Sequence, residues 1–264
     1  MQETKISGIK AFLYTTTDST NERAKVYANS GWNGEPTLFL ANEQTRGRGR
    51  YSRKFYSKSG TGAYLSLLFK PNSTINDTTE VVAHTANSLI SAIEELAPVT
   101  VNIKWVNDLI LGKRKLGGIL IEGSINPETK SYNYLIAGIG VNLYSYEMEE
   151  EIKSIATSIE AECGIKVDKA ALISRFISHF LSGLDGSLAD FCHRKYKSRL
   201  ITLGKAVTVK TLTEEYDATA IDLLPDYSLL VRTPDGEERR IFTGEARVRG
   251  EQSKNNEQSE NNSI

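Results

Sequence analysis

Between residues 101 and 143 four strand-like segments follow one another with little chain between them: residues 101–105, 109–111, 116–122 and 132–143. The turn between the second and third is Gly112-Lys113. A parallel connection needs a dozen residues or more to cross the sheet, so strands joined this tightly point to antiparallel pairing. An antiparallel sheet is therefore the first expectation for the fold.

Upstream, strand-like and helix-like segments alternate. Residues 11–15 read as a strand and give way to Asp18-Ser19-Thr20-Asn21-Glu22, where Ser19 and Glu22 have capping-box spacing. The helix they open is expected to stop near Gly31, and residues 37–43 follow as a buried strand. A longer helix is expected over residues 78–97, with Asp77 as its cap and Glu80 in its first turn. Val82, Ala86, Leu89, Ile93 and Leu96 recur at helical spacing, and Pro98 closes the segment. Amphipathic helices are expected over residues 168–184 and 188–197.

From Gly204 the pattern changes to short β-rich runs, residues 206–210, 217–224, 228–232 and 239–249, broken at Pro225-Asp226 and at Thr233-Pro234-Asp235-Gly236. These read as strands of a small barrel. Residues 251–264 hold four asparagines and almost nothing apolar, a composition that reads as a disordered tail. The expected class is thus α+β: a mixed, largely antiparallel sheet flanked by helices over residues 1–198, a small β-barrel over 199–250, and the tail.

With 39% hydrophobic and 25% charged residues in 264, the chain can bury a core without disulfides or structural metal. Cys163 and Cys192 are read as reduced and buried, and His84, His179 and His193 share no metal-ligand spacing. Residues 1–10 lack a secretory pattern and no run of 18 apolar residues occurs, so the expected setting is cytoplasmic, without a membrane partner. A net charge of −1 gives no general attraction to nucleic acid.

Three segments carry chemistry. Gln44-Thr45-Arg46-Gly47-Arg48-Gly49-Arg50-Tyr51-Ser52-Arg53 places four arginines within eight residues. Its glycines let backbone approach a ligand, and guanidinium forks suit phosphate and carboxylate. Like charges should keep the empty loop mobile. The other reading is a solvated basic loop that binds nothing in particular or touches nucleic acid. Lys104-Trp105-Val106-Asn107-Asp108 precedes Lys115-Leu116-Gly117-Gly118-Ile119-Leu120-Ile121-Glu122, where Lys115 stands at a strand entrance and the glycine pair leaves room for a ligand. A plain surface hairpin is the alternative, and Asn107-Asp108 are either turn residues or oxygen ligands for a magnesium-bound phosphate. In Gly138-Ile139-Gly140-Val141-Asn142, alternation puts both glycines and Asn142 on one bare face. That face suits a planar ring, or marks a bulged core strand.

Taken in order with Asp18-Ser19-Thr20-Asn21, these segments resemble the biotin protein ligase family. The resemblance is strong over about residues 10–185 and weaker in the C-terminal β module. It implies the family's class II synthetase-like catalytic fold with an SH3-like barrel. It also implies two half-reactions: biotin and ATP form biotinyl-5′-AMP, and the biotinyl group then passes to a lysine of a biotin carboxyl carrier protein or domain. By resemblance Ser19, Thr20, Asn21, Gln44, Arg48, Gly49, Arg50, Lys115, Gly117 and Gly118 bind biotin. Arg48, Arg50, Arg53, Phe55, Lys104, Asn107, Asp108 and Asn142 face the adenylate, with Asp108 also assigned to magnesium. Lys115 and Arg50 are the catalytic pair.

Two departures stand out. Phe55 replaces the family's tryptophan, and Val106 replaces a proline, which leaves Asn107 less rigidly placed. The catalytic pattern begins almost at once, so the expectation is a ligase without the N-terminal DNA-binding domain and without a DNA partner; homodimerisation stays open. Lipoate ligases and octanoyltransferases share the superfamily, while a nucleic-acid-binding module built on residues 46–53 is the rival of another class.

Overall fold

The fold is that of a computed structural model, described over residues 1–71, 78–146, 150–183 and 189–249. A hairpin opens the chain, β1 (Gln2–Ile6) and β2 (Ile9–Thr17), turned at Ser7-Gly8, both in positive φ. Then α1 (Thr20–Ala28) crosses to β3 (Thr37–Gln44), which runs parallel to β2. Beyond the arginine loop, β4 (Gly62–Phe69) returns antiparallel, and α2 (Thr78–Glu94) leads to the expected meander. Its members are β5 (Val101–Lys104), β6 (Asp108–Leu111), β7 (Arg114–Ile125) and β8 (Tyr132–Asn142). The eight strands pair in the order β1-β2-β3-β4-β8-β7-β6-β5, all antiparallel except β2 with β3.

Every residue of β4 is buried. Leu65, Leu67 and Phe69 join the core formed with α2 and α5 (Lys169–Ser182), while Leu68 joins a smaller cluster with Phe12, Phe39 and Ala24 under α1. A strand covered on both faces has no polar alternation to display, which is why its bounds are hard to read from sequence. The short helices α3 (Glu150–Lys153) and α4 (Ile159–Cys163) follow β8, and α6 (Ala189–Ser198) ends beside β5. Residues 199–201 cover the edge of β5: Ile103 N–H donates to the Arg199 carbonyl at 2.8 Å, and Ile201 N–H to that of Ile103 at 3.0 Å.

The C-terminal strands β9 (Ala206–Lys210), β10 (Glu215–Leu223), β11 (Leu229–Arg232), β12 (Glu238–Ile241) and β13 (Glu245–Val248) form an antiparallel sheet in the order β12-β11-β10-β9-β13. The single strand expected over residues 239–249 is two, because Gly244 at φ +137 turns the chain between them. The apolar core runs continuously from the large sheet into the small one. Trp105 Nε1–H donates to the Tyr227 carbonyl at 3.3 Å, and the Tyr196 hydroxyl to that of Val106.

Some local expectations change. Ser19 precedes α1 in extended geometry but makes no side-chain cap, because Asp18 Oδ1 accepts its N–H at 2.7 Å and Glu22 turns to Lys25 and Arg48. The helix stops at Ala28 with Asn29 as C-cap, ahead of Gly31, and α2 stops at Glu94. Cys192 is buried as expected, whereas Cys163 is half-buried on short α4. The assignments for Asp77, Leu188 and residues 251–264 fall outside the described residues. Among the described residues no helix is long and apolar enough to cross a membrane.

Candidate active site

Cross-strand register lays out the site. On the sheet face opposite α2 and α5, Tyr64, Gly140 and Gly118 lie side by side, and Ser66, Gly138 and Leu120 form the next row. Strands are about 4.8 Å apart, so three glycines here open a shallow floor one side chain deep. The β4–β8 pairing runs through Gly138 and Gly140 without a register shift, so this is a regular strand rather than a bulge.

What lies on that floor is protein. A Cβ on Gly138 would sit 2.2 Å from Asn21 Oδ1, and one on Gly140 would sit 2.3 Å from the Phe55 ring. The bare face thus receives a planar ring, and in this structure it is Phe55, edge-on to Tyr64. Gly140→Ala should displace that ring and lower stability by about 1–3 kcal/mol, the usual effect of overpacking. Denaturant midpoints of the variant and the wild type would check it.

One side of the floor is a chain of hydrogen bonds. Gln44 Oε1 accepts from the Thr20 N–H at 2.8 Å and hydroxyl at 3.1 Å, while its Nε2 donates to Ser57 at 2.8 Å. Buried Ser66 meets Thr20 at 2.6 Å and Asn21 at 2.5 Å, and Asn21 Nδ2 donates to Glu122 at 2.6 Å. Glu122 also binds Lys25 at 2.6 Å and lies 3.5 Å from Arg48, which bonds to Glu22 as well. Burial alone would raise the Glu122 carboxyl, but hydrogen bonds from Lys25 and Asn21 and the charges of Lys25 and Arg48 hold it below the usual range. Its stabilisation is therefore complete above the ordinary glutamate pKa and lost as pH falls through the lower folded value. Glu122→Gln should remove this part of the acid-induced loss of stability, seen as a flatter thermal midpoint across acidic pH.

The other side is cationic. Lys115 reaches Asp108 Oδ1 at 2.6 Å, and both groups lie against Gly118. Its backbone is clamped from both sides: Lys115 N–H donates to Ile155 at 2.8 Å and Thr157 N–H returns to Lys115 at 2.9 Å. Asn142 Nδ2 donates to the Thr157 carbonyl at 3.0 Å, tying the end of β8 to the same segment. Asn107 is fixed despite Val106, through Nδ2 to Ile119 O at 2.8 Å and Ile119 N–H to Asn107 O at 3.0 Å; the Trp105–Val106 peptide is cis. Lys104 ends β5 opposite Asp108.

The arginine loop folds back on itself, with Phe55 N–H bonded to Gly47 O at 2.9 Å and Gly49 N–H to Arg53 O at 2.7 Å. Gly47 is needed because a Cβ there would meet Phe55 O at 2.3 Å. The expected mutual repulsion is relieved by partners from elsewhere: Glu22 and Glu122 at Arg48, Glu245 at Arg53, and the Gly244 carbonyl at Arg50. Beside the loop opens a cavity of about 560 Å³ lined by Gln44, Arg46, Arg48, Lys54, Phe55 and Tyr146, among others. Ser66 and Glu122 enter the site through the fold, although Gly118, Leu120 and Glu122 alternate onto one face of β7 and end on a carboxylate, a signal readable in the sequence. Nothing local marks Glu245.

A sheet face floored by glycine, with the neutral Gln44–Thr20–Ser66–Asn21 groups backed by Glu122 at one side and the Lys115–Asp108 pair at the other, suits an acid whose carboxylate must meet a phosphate. Residues 13–142 match the Biotin/lipoate A/B protein ligase family. It is 29% identical to the bifunctional ligase/repressor BirA of Bacillus subtilis, over 89% of this chain and 73% of that protein. Identity is 28% to the biotin--[acetyl-CoA-carboxylase] ligase of Paracoccus denitrificans, over 85% and 95% of the two chains. The biotin protein ligase from Aquifex aeolicus in complex with biotin and ATP superposes with a TM-score of 0.74 at 28% identity, covering 90% of this chain and 98% of that one.

Proposed function

We propose that the protein is an ATP-dependent biotin protein ligase that forms biotinyl-5′-AMP and transfers the biotinyl group to a lysine of a biotin carboxyl carrier protein or domain. The observation that carries this reading is the glycine floor between the Gln44–Thr20–Ser66–Asn21 network and the Lys115–Asp108 pair.

Ser19, Thr20, Asn21 and Gln44 are assigned to the polar ureido end, where neutral donors and acceptors fix a neutral group. The Gly117-Gly118 pair and Gly49 leave room for the ligand beside them. In the first step a biotin carboxylate oxygen attacks the α-phosphorus and the bond to pyrophosphate breaks. Two anions must converge, so fixed positive charge lowers the barrier. Lys115 supplies it from a rigid strand, and Arg48 and Arg50 supply it from the loop, with Lys104, Asn107, Asn142 and Phe55 around the nucleotide. In the second step the acceptor amine attacks the acyl carbon, the bond to AMP breaks, and the amine gives up a proton.

Among the described residues no three or more His, Cys, Asp or Glu side chains are placed to hold a metal ion. That fits magnesium carried on the triphosphate, which is commonly held by one or two carboxylates plus phosphate oxygens. Asp108 is the carboxylate assigned to it, and the ion's contribution is charge neutralisation. The cytoplasm is the proposed setting.

The test is pyrophosphate release from magnesium-ATP, with and without biotin. Biotin-dependent release is expected, and lipoate should not replace biotin. Release that depends on lipoate, or on no acid at all, would overturn the assignment.

A further inference from the structure

We infer that the C-terminal sheet anchors the arginine loop, and that Arg53 is a positioning residue held by Glu245 rather than a phosphate ligand. This deepens the ligase reading, and its activity measurements rest on that reading.

Arg53 meets Glu245 as a two-pronged fork, Nη1 to Oε1 at 2.5 Å and Nη2 to Oε2 at 2.9 Å. Planar guanidinium and carboxylate matched this way fix orientation as well as distance. Glu245 opens β13 with its side chain 16% exposed, and Arg247 approaches its Oε2 at 3.2 Å. Burial works to raise this carboxyl, yet Arg53 and Arg247 hold it below the usual range, so it stays charged.

A second tie lies one residue away. Arg50 Nη1 donates to the Gly244 carbonyl at 3.1 Å, and its Nη2 lies 3.4 Å from Thr243 Oγ1. Only glycine suits position 244, because φ is +137 and a Cβ would meet Lys210 O at 2.8 Å. Within the loop, Arg53 N–H bonds to Arg50 O at 3.2 Å across a tight turn in which Tyr51 takes φ +55. The two guanidinium groups therefore leave one turn and grip one corner of the small sheet.

Coulomb repulsion within the loop gives this contact its purpose. Arg46, Arg48, Arg50, Arg53 and Lys54 fall within nine residues of chain, and their like charge would open the loop if unopposed. Glu22 and Glu122 balance its first half, and Glu245, 192 residues away from Arg53, balances the second. The loop is then organised before any anionic ligand arrives. A preformed loop lowers the ordering entropy that nucleotide binding must overcome.

The experiment compares full-length wild type with Arg53→Gln, Glu245→Gln and the swap Arg53→Glu/Glu245→Arg. Hydrogen exchange at residues 49, 53 and 55 reads the loop without any ligand. Each single variant should exchange about two- to fivefold faster, the range of a partly exposed ion pair, and the swap should restore protection. KM for ATP should rise by a similar factor in both single variants. Arg53 is exposed, so its variant reads the loop even if Glu245→Gln unfolds the small sheet. Unchanged exchange in the single variants overturns the anchor. A rise in KM for ATP with Arg53→Gln alone makes Arg53 a phosphate ligand and overturns it equally. If no biotin-dependent pyrophosphate release is found, the ligase reading fails while exchange still decides the anchor.

Discussion

Lys115→Ala should lower adenylate formation by about 10²–10³-fold, the loss typical of removing one preorganised electrostatic contact to a transition state. The fold should survive. Lys115 is held by backbone bonds to Ile155 and Thr157 that any residue but proline can make, and its side chain is 39% exposed. The substitution leaves Asp108 without its cation, but that carboxylate is 29% exposed and water replaces the partner, for an exposed-pair loss of about 1 kcal/mol or less. Chemically supplied biotinyl-AMP should partly restore acceptor labelling, because Lys115 is assigned chiefly to the first step. Biotin-dependent pyrophosphate release and thermal midpoint, measured on the same samples, separate chemistry from folding. Adenylate formation at the wild-type rate would leave Lys115 a purely structural role.

Arg50→Gly should loosen retention of the adenylate. The variant loses the bond to Gly244 O and the packing of the guanidinium over Tyr51, 5.0 Å from the ring centroid. It also gains glycine's backbone freedom at the start of a tight turn, worth up to about 1 kcal/mol, beside about 1 kcal/mol for the lost hydrogen bond. Together these predict a rise in loop opening of up to roughly thirtyfold. Biotinyl-AMP would then escape and acylate exposed lysines elsewhere. Serum albumin labelling, compared with wild type at matched adenylate synthesis, reads the escape, and protease cleavage within residues 46–54 reads the opening. Equal labelling with unchanged cleavage would remove the loop's retaining role and leave that of Lys115 intact.

These expectations were differently legible in the sequence. The alternating glycines of β8 announced a bare face suited to a planar ring, and the short Gly112-Lys113 turn announced antiparallel pairing; both depend only on neighbouring residues. The fully buried β4 was harder to bound, since a strand covered on both faces shows no alternation. Mobility of the empty arginine loop followed from like charge within the loop. The structure instead shows the loop held by Glu22, Glu122, Glu245 and Gly244.

Local rules are set by covalent geometry and nearest neighbours: turn length, strand alternation, helix spacing, and the chemistry of arginine forks and bare glycine backbone. On those terms the sequence by itself determined the α+β class, the meander, and the residues that could meet an anion. Which charge meets which depends on contacts between segments far apart in the chain, and no periodicity encodes them. Only the tertiary structure paired Asn21 with Glu122, laid Phe55 on Gly140, and brought the 243–245 corner of the small sheet to the arginine loop. Coulomb energy depends on distance in space, and folding places Arg53 and Glu245 in contact across most of the chain.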